Sequence, residues 1–402
     1  MLTRHLAAVA FAPGFGRQMR FIVGPRQAGK TFMARAFLRQ SGSERLYYNW
    51  DQRAVQDRRR RDPYFYWSDA FALRRSRPWV CFDEIHKTRH WKNLLKDGFD
   101  RFEGRLRFVV TGSASMDLRR KAGDSLAGRF FAFRLNPLTL GEAAGRPAPR
   151  PFGTGRAWLD ARLDGPAIPK DTVGALLAFG PFPEPFLKHA GPFRNRWAED
   201  YLDRVVRGDI RDLTPLSDLH AIEALVRLLP ERVGSPLSMR SLLEDLRIAH
   251  PTVARHLAVL ADFFLVFAVP PFARSIARAI RKERKFYFYD CARVPDPAAR
   301  FENLVAMELK ARCDLWSGGG SARFDLHYVR TRDGRETDFL LTREGKPWAL
   351  VECKLAAGPV APHHRVHAAA LGGIPVIQVC REPGVRMLGP DGTCQLSAEA
   401  LF

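Results

Sequence analysis

The 402-residue chain offers little that would tie it to a disulfide scaffold, a zinc module or a membrane. Its cysteines, Cys81, Cys291, Cys313, Cys353, Cys380 and Cys394, include no C-x-x-C pair. This excludes the usual zinc patterns and small disulfide frameworks and fits a reducing cytoplasm. No apolar run reaches the roughly 20 residues of a membrane span. The greasiest, "LAVLADFFLVFAVPPF" (257–272), holds Asp262 and two prolines and reads as core. "MLTRHLAAVAFAPGFG" is only faintly like a signal peptide, with a short apolar run and no convincing A-x-A site, so residues 1–17 are expected to be a lead-in helix. Internal repeats and low-complexity tracts are absent. Acidic residues are scarce, 43 Asp+Glu against 64 Lys+Arg, for a net charge of +21. Such an excess points to a polyanion, either nucleic acid or anionic lipid, although Arg-rich usage in a GC-rich genome gives the same composition. With no membrane span, nucleic acid, DNA above all, is the expected partner.

What is present suffices for two or three domains: 46% of residues are hydrophobic and 11% aromatic. Across 18–145, apolar runs ("MRFIVG", "PWVCFDE", "LRFVVTGS") alternate with helical patterns, the signature of a parallel α/β sheet. "RRRRDP" (58–63) reads as a solvated loop, and the Pro/Gly-rich "GRPAPRPFGTGR" (145–156) as a linker. Helical pattern dominates from Arg194 to about Phe267, and strands return from "KFYFYD" onward. The expected units are therefore 18–145, a linker with helices over 146–193, a helical segment over 194–272, and a second α/β unit over 273–402.

"GPRQAGKT" (24–31) follows the strand "FIV" and opens a helix, fitting G-x-x-x-x-G-K-[ST]. Gly24, Pro25, Arg26, Gln27, Ala28 and Gly29 would curl the backbone so that its N–H groups face phosphates. Lys30 would reach the β- and γ-phosphates of ATP, and the Thr31 hydroxyl would bind Mg²⁺. "WVCFDE" ends in Asp83, a candidate Mg²⁺ ligand, and Glu84, placed to orient or deprotonate the attacking water. In "FVVTGSA", Ser113 or Thr111 is a candidate γ-phosphate sensor, with plain turn chemistry as the alternative. Downstream, "LAGRFFAFRLNPLTLGE" carries Arg129 and Arg134. Arg129 is the preferred candidate to stabilise the transferring phosphoryl of a neighbouring subunit, which implies a homo-oligomer.

The order "GPRQAGKT … CFDEIHK … VVTGSAS … LAGRFFAFRLNPLTLGE" resembles prokaryotic AAA-type ATPases that carry a C-terminal domain of unknown function, and the resemblance spans most of the chain. It implies a P-loop NTPase sheet followed by a winged helix-turn-helix segment and a C-terminal α/β nuclease-like domain. "RWAEDYLDRVVRGDIRDLTP" (196–215) resembles the opening of that C-terminal part. "MRSLLEDL", "RIAH" and "PTVARHLAVLADF" read as helix, turn and helix, with "FLVFAVPPF" as a wing strand. If the segment reads DNA, Thr252, Arg255 and His256 would face the groove; winged helices serve equally as protein-binding modules. Where the family runs Asp-Thr-Gly-Leu, this chain has Asp290-Cys291-Ala292-Arg293, which puts a role for Asp290 in doubt.

Near the end, "FENLVAMELKAR" is a helix with Glu302 near its start, and "TDFLLT" and "PWALVECKL" are strands around "REGK". Glu352 and Lys354 share a strand face. Glu302, Asp338, Glu352 and Lys354 resemble a PD-(D/E)XK nuclease core, in which Glu302, Asp338 and Glu352 would hold Mg²⁺ and Lys354 would position a water or stabilise developing charge. An acid–lysine hairpin is also common as a solvated strand face. In "PHHRVH", His363 and His367 have i, i+4 spacing, but an exposed helix start is the simpler reading. Two functions follow: an Mg²⁺-dependent ATPase coupled to a DNA-acting nuclease-like half, or a nucleotide-switched regulatory or scaffolding protein whose nuclease-like fold binds without cutting.

Overall fold

Five short apolar runs, each ending in a turn, become the strands of one parallel sheet: β1 (Met19–Val23), β2 (Tyr47–Asn49), β3 (Trp79–Asp83), β4 (Arg107–Thr111) and β5 (Phe130–Arg134). The computed structural model describes residues 2–112, 126–211, 216–273 and 283–402. They divide into a first unit, Thr3–Asn136, and a second, Pro137–Phe402. In the first unit the strand order is β2-β3-β4-β1-β5. Every residue of β3 is buried, as expected of a parallel strand covered on both faces. Phe21, Tyr66, Phe82, Phe99 and Phe108 belong to one aromatic-rich core beneath the sheet. Ile22 is level with Thr111, and Thr111 with Asp83, so the ends of β1, β4 and β3 form one rim. Ligands of parallel α/β sheets bind at that C-terminal rim.

The lead-in residues form a short helix, His5–Ala10, and a 3-10 turn, Pro13–Phe15. "RRRRDP" differs from its reading as a loop: Arg58 to Arg61 close helix α2 (Arg53–Arg61), which follows α1 (Lys30–Gln40) in the chain. Arg58 pairs with Asp69 at 2.8 Å and lies 4.6 Å over the Phe65 ring, so local partners neutralise part of the run. Arginine is a good helix former, and a paired, stacked run has no need to be a loop.

The second unit begins with helices, and the run read as a linker is tied down within it. Trp316 donates to the Pro149 carbonyl at 3.0 Å. A Cβ on Gly155 would lie 1.9 Å from the Trp348 carbonyl oxygen. Further on, α3 (Met239–Leu246) and α4 (His250–Asp262) precede a two-stranded antiparallel sheet, β6 (Val266–Val269) with β7 (Lys285–Phe288). The long helix α5 (Pro297–Gly318) then leads to a six-stranded sheet of order β12-β13-β11-β10-β9-β8. Its strands are β8 (Phe324–Arg330), β9 (Glu336–Arg343), β10 (Lys346–Lys354), β11 (Val376–Cys380), β12 (Arg386–Leu388) and β13 (Cys394–Ser397). Helix α6 (Pro362–Ala370) lies between β10 and β11 in the chain. The β9–β10 turn is made by Glu344 (φ 51°) and Gly345 (φ 73°), the left-handed pair a two-residue hairpin demands. Among the described residues no helix is long and apolar enough to cross a membrane, and all six cysteines are free.

Candidate functional site

The loop after β1 has the backbone that phosphate binding requires. Gly24 sits at φ 152°, and a Cβ there would lie 2.1 Å from the Leu135 carbonyl oxygen, so no side chain fits. Gln27 (φ 57°) and Gly29 (φ 95°) are also left-handed, and Gly29 caps α1. Ala28 is buried, and Arg26 lies in the same loop, half-buried. Arg4, a residue the sequence reading passed over, donates to the carbonyl oxygens of Ala28 and Asn136 and braces the loop from behind. Lys30 is buried, and its Nζ donates to the carbonyls of Gly24 (2.9 Å) and Pro25 (2.5 Å). Burial lowers its pKa to about 8, against the raising influence of Glu84 and Asp83.

At the rim, Thr31 Oγ1 donates to Asp83 Oδ2 at 2.8 Å. The same oxygen accepts from the Tyr47 hydroxyl at 2.5 Å, and Oδ1 accepts from Thr111. Thr111 thus serves Asp83 rather than facing the cradle alone, and Ser113 lies outside the described residues. Burial and the Asp83 bond raise the Tyr47 pKa, keeping the phenol a donor. Glu84 adopts a left-handed backbone (φ 58°), and its N–H donates to the Thr111 carbonyl at 3.0 Å. A non-glycine residue there is costly and turns its side chain out of the strand. His86 Nε2 lies 3.5 Å from Glu84 Oε2. Burial, with Lys87 nearby, lowers the His86 pKa to about 4, so the imidazole is neutral at physiological pH. Neither Tyr47 nor His86 carries a sequence signal of its own.

Arg129, expected to serve a neighbouring subunit, lies away from this chain's own phosphate loop. The Met19 N–H donates to its carbonyl at 2.8 Å, which puts it at the start of β5, on the edge opposite the phosphate loop. Its guanidinium grips Asp100 with two bonds, 2.7 and 2.9 Å. Arg134 is level with Val23, the residue before Gly24, and so stands at the rim itself.

In the second unit, the acids read as nuclease-like do converge. Val351 pairs with Phe339, which brings Glu352 beside Asp338. The Asp338 N–H donates to Glu352 Oε2 at 3.2 Å, and the Cys353 N–H to Asp338 Oδ2 at 3.0 Å. Lys354 Nζ is 2.7 Å from Glu352 Oε1. Glu302 reaches the cluster from α5 and accepts from the Tyr287 hydroxyl at 2.6 Å. Glu302, Asp338, Glu352 and Lys354 line a cavity of about 360 Å³ together with Gly234 and Leu355. Burial, then the charge of Asp338, push both Glu302 and Glu352 above the usual carboxylate range.

The expected metal set is altered by a residue the sequence reading missed. Lys285 Nζ, from β7, lies 3.2 Å from Glu302 Oε1, 3.3 Å from Asp338 Oδ1 and 2.6 Å from Glu336 Oε1. Burial alone would lower its pKa, but Glu302, Asp338 and Glu336 outweigh it and hold the ammonium above its ordinary range. Among the described residues no group of three His, Cys, Asp or Glu side chains is arranged to hold a metal ion. Glu302, Asp338 and Glu336 are thus gathered around the Lys285 ammonium, while Glu352 pairs with Lys354.

Two further expectations change. His256 is fully buried in α4 and cannot face a groove, while Arg255 is tied to Asp218 at 2.5 Å. Thr252 is half-buried. In α6, His364 and His367 are buried and flank the Thr337 hydroxyl, each 2.8 Å from it through Nδ1. His363 Nε2 lies 2.8 Å from the Glu336 carbonyl. Asp290 has a structural partner, Arg194 at 2.9 Å, with both side chains buried.

A glycine-shaped loop, a Lys-Thr pair opening a helix, and an Asp-Glu pair ending the next strand but one define the first unit as an AAA-type P-loop domain with an ATP-binding cradle. Residues 16–144 match the family described as an AAA domain. Residues 170–294 and 298–369 match two domains of unknown function, DUF8612 and DUF4143. The uncharacterized protein Rv2008c of Mycobacterium tuberculosis is 25% identical over 354 residues, 84% of this chain and 70% of its own length. Mb2031c of Mycobacterium bovis, also uncharacterized, is similar to the same extent, 25% over 354 residues. Among solved structures, the Aeropyrum pernix ORC2 protein in its ADP form is 14% identical, spans 79% of this chain and 93% of its own, and has a TM-score of 0.35. The ORC1 protein of that organism in complex with DNA is 19% identical, spans 76% and 92%, and has a TM-score of 0.28. Likeness of that degree carries nothing over to this chain.

Proposed function

We propose that the chain is an Mg²⁺-dependent ATPase whose nucleotide state governs how its C-terminal half engages nucleic acid. The observation that carries the ATPase reading is the Thr31–Asp83 bond of 2.8 Å at the mouth of the phosphate loop. Both are oxygen donors of the kind Mg²⁺ takes, and they are the residues that would hold it. Bound there, Mg²⁺ would offset charge on the β- and γ-phosphates. Lys30 exchanges the Gly24 and Pro25 carbonyls for phosphate oxygens, and the loop N–H groups receive the rest. Tyr47 and Thr111 hold Asp83 in register. Glu84, turned toward the rim and flanked by neutral His86, orients the attacking water and accepts its proton.

For the second unit we favour binding without cutting. Its hairpin and α5 support a PD-(D/E)XK-like core over 273–402, and α3, α4 and β6 support a winged-helix segment within 194–272. Lys285 among the acids is what favours binding over cleavage. Phosphate release and fluorescent-ATP binding test the first unit. Lys30→Ala should lose ATP binding, whereas Glu84→Gln should bind ATP and hydrolyse it about 10²-fold more slowly or worse. Glu84→Gln turnover at the wild-type rate would reject the role given to Glu84. Incubation of plasmid and single-stranded DNA with Mg²⁺ or Mn²⁺, with and without ATP, tests the second. Cleavage abolished by Asp338→Ala would restore the nuclease reading.

A further inference from the structure

We propose that Lys285 is the resident cation of the C-terminal acidic cluster, standing where a nuclease-like site would hold a divalent metal, and that this site in the wild-type chain is metal-free. An ammonium group has three N–H bonds to give, and Lys285 Nζ has three carboxylate partners, at 2.6, 3.2 and 3.3 Å. A divalent ion bound to Glu302 Oε1 and Asp338 Oδ1, about 2.0–2.6 Å from each, would share both oxygens with the ammonium and lie close to it. Two cations so close, away from water, repel strongly.

The lysine cannot step aside. Its side chain is fully buried, its backbone pairs with Val269 across the β6–β7 sheet, and the Tyr328 ring lies 5.7 Å from Nζ. Lys354, by contrast, has half its side chain exposed and pairs with Glu352 alone among these acids. Three of the other four carboxylate oxygens of Glu302, Asp338 and Glu352 also accept hydrogen bonds from the protein. Asp338 Oδ2 accepts from Cys353 N, Glu352 Oε2 from Asp338 N, and Glu352 Oε1 from Lys354. Glu302 Oε1 has Tyr287 as a second donor, and Oε2 faces Gly234, where an added Cβ would be 2.9 Å away. Five of the six carboxylate oxygens of Glu302, Asp338 and Glu352 thus accept from N–H or O–H groups, and the sixth, Glu302 Oε2, faces Gly234 in the cavity wall.

Mn²⁺ binding by the full-length, nucleotide-free chain, followed by electron paramagnetic resonance, decides the matter, and its outcome does not depend on whether the first unit hydrolyses ATP. Wild type and Asp338→Asn should give the same Mn²⁺ isotherm, because any weak binding at Asp83 is common to both. Lys285→Met should gain one Mn²⁺ at least tenfold tighter than any site in wild type, and Lys285→Met/Asp338→Asn should lose it. The Lys285→Met melting temperature should rise with Mn²⁺ and fall with EDTA. A wild-type isotherm weakened by Asp338→Asn would overturn the proposal, whether or not the Lys285 variants fold. So would a folded Lys285→Met chain that gains no Mn²⁺.

Discussion

Lys30 is pulled in two directions, and its titration follows from the balance. Burial lowers its pKa from 10.5 to about 8. The folded chain therefore sheds this proton before the unfolded chain does. Between these two values the unfolded state binds more protons, so folded stability rises with pH. In nucleotide-free protein, raising the pH from 7.5 to 9.5 should stabilise wild type by about 2 kcal/mol relative to Lys30→Met. Urea denaturation of the two at both pH values measures this. A difference of zero, or of the opposite sign, would mean that Lys30 is not held as a buried ammonium. ATP affinity should move the other way: the phosphate contact needs the charged amine, so wild-type binding should weaken above pH 8 while the Lys30→Met variant stays weak and flat.

The strand-to-helix turn after β1 is fixed by backbone shape more than by side-chain chemistry. In Gly24→Ala the new methyl would meet the Leu135 carbonyl oxygen at 2.1 Å, and that oxygen belongs to backbone that pairs with β1, through the Leu135 N–H on Val23 at 2.8 Å. Neither side can yield cheaply, and the expected cost is about 3 kcal/mol or more, read as a lowered melting temperature together with lost ATP binding. A Gly24→Ala chain with wild-type melting would show that the loop relaxes freely. Elements of this kind were legible in the sequence because local rules specify them: apolar runs with glycine-lined turns, a helix opened by Lys-Thr, and the apolar β9 and β10 strands around Glu-Gly. Period also holds information the winged-helix expectation did not use. Val253, His256, Leu257 and Leu260 recur at helical spacing and form the buried face of α4, so His256 belonged to the core rather than to a groove. Lys285 was not legible, because nothing in "KFYFYD" shows that tertiary packing will carry the lysine to acids 17, 51 and 53 residues further along the chain. Arg4 and Tyr47 were hidden for the same reason. Arg129 and Arg134 share one stretch of sequence, and only strand register shows that Arg129 precedes β5 while Arg134 ends it.

At the scale of the whole molecule, the net charge of +21 is what remains once every acid is set against a base. Arg58, Arg129, Arg194, Arg207 and Arg255 each pair with an acid of the same chain. The charge left over still favours DNA, and counterion release makes that testable without knowing the binding face. If about six phosphates are neutralised, log affinity against log salt should have a slope of about −5, and affinity should fall about 10³-fold between 50 and 200 mM KCl. Fluorescence anisotropy with a labelled duplex and a labelled single strand measures it, with and without a non-hydrolysable ATP analogue. A steep slope whose intercept shifts with the analogue in wild type, but not in Lys30→Ala, would link nucleotide state to nucleic-acid engagement. A steep slope with no shift would leave a DNA-binding ATPase whose two activities are uncoupled. A slope near zero would assign the basic composition to codon usage, and the partner of the second unit would then be sought among proteins.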